Sequence, residues 1–162
     1  MCTFHSTPDL ADTLGDYVLS CDTQFRNFGG KTKFAGRIVT VRCMEDNGLV
    51  KKLLNSPGNG KVLVVDAGGN LHTAMVGDQI AKAALDNGWK GIIVNGAIRD
   101  SEEIGQLDIA VKALGTNPRR SAKDGVGKVN ERVSFGGVDF IADHTVYGDA
   151  DGIVVMDEPI CE

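Results

Sequence analysis

Four cysteines are all this chain of 162 residues carries: Cys2, Cys21, Cys43 and Cys161. No two stand in a CxxC pair or at a Cys/His ligand spacing, which argues against a zinc ribbon and a disulfide scaffold. They read as reduced thiols of a cytosolic protein, with Cys43 in the core. The three histidines, His5, His72 and His144, are isolated, so a histidine-built zinc site is not expected either. No apolar run is long enough to span a bilayer, and the N-terminus lacks the basic start and apolar stretch of a secretory leader. A cytoplasmic protein with no membrane contact is the expectation. Positive charge is also short: 17 Lys and Arg against 22 Asp and Glu leave a net charge of −5. Direct nucleic-acid binding does not suit that balance, and any link to RNA would run through a protein partner.

What the chain has is glycine and apolar residues. Hydrophobic content is 42 %, that of an ordinary globular chain. The 21 glycines exceed the roughly 7 % of average usage and imply many tight turns in a β-rich frame. One domain over residues 1–162 is the default at this length. A first helix is expected from Thr7, with Thr7 as its cap and Pro8 in its first turn. Phe28-Gly29-Gly30 reads as a turn, and residues 34–44 as a strand built on the run Ile38 to Cys43. Glu45-Asp46-Asn47 then caps a helix through Leu54, ended by Ser56-Pro57-Gly58. Lys61 to Asp66 is a buried-strand pattern, and His72 to Val76 a further short strand. Asp108 to Leu114 is strand-like, residues 116–130 a polar surface loop, residues 131–143 a hairpin and Gly152 to Met156 the last strand. No internal repeat, low-complexity block or linker interrupts this order.

The chemistry is expected in the stretch Val76 to Asp100. Ile80, Ala81, Ala84 and Leu85 recur at helical spacing, and Asn87-Gly88 stops the helix. Gly91 to Val94 is a compact, β-branched run that favours a buried strand. A helix that feeds a strand runs back alongside it, so its N-terminus lies at the strand's carboxyl end. Free amides near Gln79 and Ile80, with the positive end of the helix dipole, can hold an anion there. Arg99 and Asp100 leave the strand at the same end, and Ser101 caps a brief helical turn. An anion site, a fixed cation and a carboxylate able to bind a metal thus converge, which suits a small carboxylate substrate.

Other motifs fail in useful ways. Gly68-Gly69-Asn70 is not a dinucleotide fingerprint, and neither a Walker A nor a GxSxG string is present. Asp149-Ala150-Asp151-Gly152 starts like a calcium loop, but the glycine comes too early and the later ligands are missing, so a turn is expected. Lys82 and Lys90 are chemically capable of a Schiff base but fit exposed positions on the protein surface better. Without a glycine-rich cofactor loop, a methyltransferase is set aside. An Arg-Asp dipeptide taken alone is most often a structural ion pair. The strand before Arg99-Asp100 and the helix end beside it favour a functional pair.

Taken in order, several strings resemble one known family. They are FGG at Phe28 to Gly30, EDNGLV from Glu45, VLVVD from Val62, GD at Gly77, GIIVNGAIRD from Gly91, DIAV from Asp108, VSFGGV from Val133 and YGDADGIVV from Tyr147. Each is weak alone, but in this order and spacing they are similar to the RraA-like family, over nearly the whole chain. That family includes the regulator of ribonuclease activity A and the class II 4-hydroxy-4-methyl-2-oxoglutarate aldolases.

The resemblance implies a compact single α/β domain with a mixed, barrel-like sheet and flanking helices, of the swivelling β/β/α type, assembled as a homotrimer or a pair of trimers. It also implies a pyruvate-handling site at the subunit interface. Arg99 matches the family arginine on the keto oxygen of a 2-oxo acid. Asp100 matches the carboxylate that holds a divalent metal, magnesium or manganese. Gly77, Asp78, Gln79 and Ile80 match the turn whose amides take the substrate carboxylate. Asp78 and Asn47 match polar residues that orient the metal's waters, and Asp78 is grouped with Arg99 as catalytic.

The implied activity is a metal-dependent lyase that passes through a pyruvate enolate, as a 4-hydroxy-4-methyl-2-oxoglutarate aldolase and oxaloacetate decarboxylase. Longer aldolase members carry a C-terminal extension that lends an acidic residue to a neighbouring subunit's site. This chain ends at Glu162, which favours decarboxylation over cleavage of the larger aldol substrate. The alternative is a non-enzymatic regulator that docks on a ribonuclease of the RNase E type, a role that an acidic surface also fits.

Overall fold

The structure, a computed structural model, describes residues 2–159. Cys161 and Glu162, and with them the expectations placed on those residues, lie outside the described range. The described residues form twelve strands and four α-helices, with the helices all before β7. The strands are β1 (Leu19–Ser20), β2 (Arg26–Asn27), β3 (Phe34–Arg42), β4 (Val62–Asp66), β5 (Ala74–Val76) and β6 (Gly91–Ile98). Then follow β7 (Ala110–Thr116), β8 (Lys128–Val129), β9 (Val133–Phe135), β10 (Val138–Phe140), β11 (Thr145–Asp149) and β12 (Gly152–Met156). The helices are α1 (Thr7–Leu14), α2 (Gly48–Leu54), α3 (Asp78–Asp86) and α4 (Ser101–Ile104).

One mixed sheet runs in the order β1-β12-β11-β3-β4-β6-β7-β2, with β5 added to β6 and β8 to β3. Its centre, β3-β4-β6-β7, is parallel, because α2, α3 and α4 lie in the crossovers that parallel pairing requires. The flanks are antiparallel. Strands β1 and β2 sit on opposite edges, yet only residues 21–25 separate them. Such a link reaches at most about 20 Å, whereas a flat sheet of eight strands would hold its edges roughly 34 Å apart. The sheet therefore curls into a barrel-like form.

Alternation along the strands sorts the core into two layers. Val62 and Val64 of β4, with Ile93 of β6, join Ile38, Ala110, Val146 and Ile153 on the enclosed face, around Phe34 and Phe140. Leu63, Val65, Ile92, Val94 and Val111 point the other way, against Val50 and Leu54 of α2, Ile80, Ala81 and Ala84 of α3, and Ile104 of α4. Lys112 breaks the apolar pattern of β7. It is 2 % exposed and donates from Nζ to the Asp149 carbonyl at 2.8 Å.

Two local expectations need correction, and one strand went unmarked in the sequence. Ser6, not Thr7, caps α1, and its Oγ accepts from the Asp9 amide. Thr7 instead is buried and donates from both N and Oγ1 to the Asp149 carboxylate, at 2.8 and 2.7 Å. The stretch 116–130 is more than a surface loop. Ser121 is buried within it, and Lys128–Val129 pairs with β3. Strand β11, which the sequence reading did not single out, supplies Val146 and the buried Tyr147 to the core.

Candidate functional site

Strand β6 and helix α3 meet as their order in the chain requires. The Arg99 amide donates to the Val76 carbonyl at 3.0 Å, so the exit of β6 lies beside the entry of α3. Asp100 then turns with φ 58° and ψ 41°, a left-handed conformation that Asp tolerates better than most side chains. That turn brings its Oδ2 within 3.0 Å of the Asp78 amide, the first of the helix. Gly77 makes the approach possible. A Cβ on it would stand 2.8 Å from Asp100 Oδ2, although its own backbone is extended and unstrained. The next amides, those of Gln79 and Ile80, belong to the first turn, which helical bonding leaves unused.

These groups open into a cleft of about 300 Å³. All the residues singled out from the sequence line it: Asn47, Gly77, Asp78, Gln79, Ile80, Arg99 and Asp100. The Ile80 side chain packs into the core, so its backbone is what it offers the cleft. Asn47 is 4 % exposed, and its amide is already engaged: Nδ2 donates to the Met75 carbonyl at 3.1 Å, while Oδ1 accepts from Lys123 Nζ at 3.2 Å. Among the described residues Arg99 is in no salt bridge, and its guanidinium donates to the Pro118 carbonyl at 3.4 Å. It is not the partner of Asp100 in a structural ion pair.

Lys51, Arg120 and Lys123 also line the cleft, and the sequence reading missed all three as site residues. Two come from the stretch read as a surface loop. That stretch is tied to the sheet's carboxyl end. The Ala74 amide donates to the Arg119 carbonyl at 2.7 Å, and Ser121 Oγ donates to the Ala74 carbonyl at 2.7 Å. Ala122 bonds through its amide to Glu45 and through its carbonyl to the Asn47 amide. A cluster of basic residues in an otherwise acidic chain was the available signal.

The electrostatics divide the cleft in two. The hydrogen bond to the Asp100 side chain, then burial and the Asp100 charge, raise the Asp78 carboxyl above its ordinary range. Burial, then the nearby charges of Lys51, Arg99 and Arg120, lower the Lys123 ammonium. A pair of carboxylates thus faces a group of cations across a small volume. Among the described residues no three His, Cys, Asp or Glu side chains cluster as a ligand set. The donors present do not fit a tetrahedral structural zinc site. They do fit magnesium or manganese, hard cations that keep several waters and take one or two carboxylates. The mutual repulsion of Asp78 and Asp100 is what such a cation would relieve.

Fold and site together define a class: an α/β protein with a polar cleft at the carboxyl ends of the parallel strands of a mixed sheet, lined by a helix N-terminus, two carboxylates and an arginine that is in no ion pair among the described residues. The chain belongs to the RraA-like (Aldolase/RraA) family, whose model matches residues 7–155. It is 42 % identical to a Geobacillus kaustophilus protein described as an S-adenosylmethionine:2-dimethylmenaquinone methyltransferase, with a TM-score of 0.93 over 96 % of this chain and 97 % of that one. It is 40 % identical to the RNA-processing inhibitor RraA of Thermus thermophilus, also with a TM-score of 0.93, over 97 % and 95 % of the two chains. An unusual member of the RNase ES inhibitor RraA protein family from Streptomyces coelicolor is 26 % identical, with a TM-score of 0.73 over 94 % and 77 %. Among the described residues no helix is long and apolar enough to cross a membrane.

Proposed function

We propose that this chain is a divalent-metal-dependent carbon–carbon lyase acting on 2-oxo acids through the enolate of pyruvate. One observation carries the reading: Arg99, the Asp78–Asp100 pair and the first turn of α3 open into the same cleft. The amides of Gln79 and Ile80, at the positive end of the helix, hold the substrate carboxylate. Arg99 then donates to the adjacent 2-oxo oxygen. When the bond beyond C3 breaks, its electron pair moves into C2–C3 and the negative charge collects on that oxygen, where a fixed cation is most effective. Asp100, with Asp78 beside it, would hold magnesium or manganese, which would supply Lewis-acid stabilisation of the developing negative charge. Oxaloacetate loses carbon dioxide in this step, and a 4-hydroxy-2-oxo acid loses a carbonyl compound. Asp78, which lines the cleft beside Asp100, is placed for proton transfer at the enolate carbon or the 4-hydroxyl group.

The test is a coupled assay of pyruvate release from oxaloacetate. Protein with magnesium should exceed the rate of magnesium alone, and a chelator should remove the excess. A rate equal to the metal-only blank would end the proposal for this substrate.

A second reading, a protein that docks on and inhibits a ribonuclease, draws support from the 40 % identity to the Thermus RNA-processing inhibitor. The methyltransferase description of the Geobacillus protein draws less. Gly68 and Gly69 here form the tight turn after β4, with Gly68 N bonded to Asp66 Oδ1 at 2.9 Å, rather than a cofactor loop.

We also expect a homotrimer. Tyr17, Leu19, Met44 and Val126 are large apolar side chains left exposed, and short edge strands gain from closure in a ring. Light scattering should give three or six times the 17.2 kDa of one chain. A monomer mass at micromolar concentration would contradict it.

A further inference from the structure

Asp46 takes no part in the chemistry above, yet it is the most completely enclosed carboxylate near the cleft, at 5 % exposure. Its Oδ1 accepts from the amides of Gly48 at 2.9 Å and Gly125 at 3.0 Å. Its Oδ2 accepts from those of Asp124 at 3.2 Å and Val126 at 3.3 Å. Among the described residues it is in no salt bridge; four amides meet its oxygens directly, and the Lys123 ammonium acts on it only from farther off. Burial would raise this carboxyl, but the four amides outweigh it and hold the group below the ordinary range. A helix-start acid needs only the Gly48 bond. The other three reach across to a distant loop.

We propose that Asp46 is a positioning residue: its buried carboxylate, ringed by four backbone amides, latches the loop 119–126 so that Lys123 stands in the cleft. The claim deepens the lyase reading and rests on it for its kinetic test. Lys123 lies between two fixed points. Ala122 is bonded through both its amide and its carbonyl, and residues 124–126 are held by Asp46. The next residue after Asp46, Asn47, takes the tip of the same lysine at 3.2 Å. Neighbouring side chains of one short segment therefore fix the backbone and the ammonium of Lys123 together. The lysine adds a placed positive charge for a substrate with two carboxylates, so loss of the latch weakens substrate capture rather than the bond-breaking step.

The variant is Asp46→Asn, which keeps the shape but turns an NH2 group toward amides that need an acceptor. With oxaloacetate and magnesium, KM should rise about tenfold, the scale of one charge-assisted hydrogen bond. The kcat should stay within about threefold of the starting protein. Lys123→Met should raise KM similarly, and the double variant should add nothing further, since both changes remove one interaction. A fall in kcat at unchanged KM, the signature of lost folded protein, overturns the proposal, and so do additive effects on KM. Hydrogen exchange gives a readout independent of turnover. In the unaltered protein the amides of Asp124, Gly125 and Val126 should exchange at least about 100-fold slower than free amides, and Asp46→Asn should release them. Fast exchange in the unaltered protein, or protection that survives the substitution, overturns the latch. Should Asp46→Asn fail to fold, the same KM split is read on Asp46→Glu, whose longer side chain shifts the loop while keeping the charge. An inactive unaltered protein sinks the lyase reading alone, and exchange then decides the latch.

Discussion

Asp100→Asn should cut oxaloacetate decarboxylation by at least about a hundredfold, the scale set by loss of a group that stabilises developing charge. The substitution is a clean one. An Asn oxygen can still accept from the Asp78 amide, so the join between β6 and α3 survives, while the charge that would hold a cation is gone. Arg99→Lys should cost as much. It keeps a charge but loses the planar fork able to address a keto oxygen and a carboxylate together. Both residues are only half-buried, and Arg99 anchors no ion pair among the described residues, so neither change should unfold the chain. A ribonuclease regulator that works by docking would tolerate both. Measuring lyase activity and ribonuclease inhibition on the same two variants therefore separates the readings. Lyase activity that survives Asp100→Asn would mean that the metal belongs elsewhere.

The largest expected effect on stability lies away from the cleft. Gly29→Ala should lower the free energy of unfolding by about 3 kcal/mol or more, at the upper end of what overpacking costs. A Cβ there would lie 2.0 Å from the Ile109 carbonyl oxygen and 2.7 Å from the Val111 amide. Both are backbone atoms at the entry to β7, where no side chain can swing aside. Gly115→Ala is the matching control, because its Cβ would meet nothing within 4 Å. Urea denaturation should place that variant within about 0.5 kcal/mol of the starting protein. Equal midpoints for the two would show that the segment before β3 can shift off β7 at little cost.

How far the sequence spoke depended on the range of the interaction that decides each feature. Local patterns sufficed for β3, β4, β6 and α3, where runs such as Val62 to Val65 and Ile80 to Ala84 carry their own period. Arg99 and Asp100 were legible because a helix followed by a strand fixes which ends meet. Ser6 was passed over for Thr7 since both can cap, and only the Asp149 carboxylate, 142 residues away, decides that Thr7 turns inward. Phe28-Gly29-Gly30 looked like any turn, although a close pass of two backbones is what demands glycine there. The loop with Arg120 and Lys123 was polar and without period, so its docking through Ser121 and Asp46 left no local trace. Strand β11 escaped for a related reason. Gly148 within it interrupts the apolar alternation, because the Phe34 ring occupies the space a side chain would need.

The short link from β1 to β2 constrains the order in which this protein can be completed. Ser20 pairs with Val154 on one rim of the curled sheet, and Arg26 with Ala113 on the other. During synthesis from the N-terminus, the parallel block that bears Asp78, Arg99 and Asp100 emerges well before β11 and β12. Until those last strands arrive, β3 has an open flank on that side and β1 has nothing to pair with. Closure must therefore wait for contacts between the two ends of the chain, the kind that form slowly because a long loop has to be ordered first. A nascent chain would expose a strand edge next to a finished cleft in the meantime, which makes β11 and β12 the gate between a sticky intermediate and the closed fold.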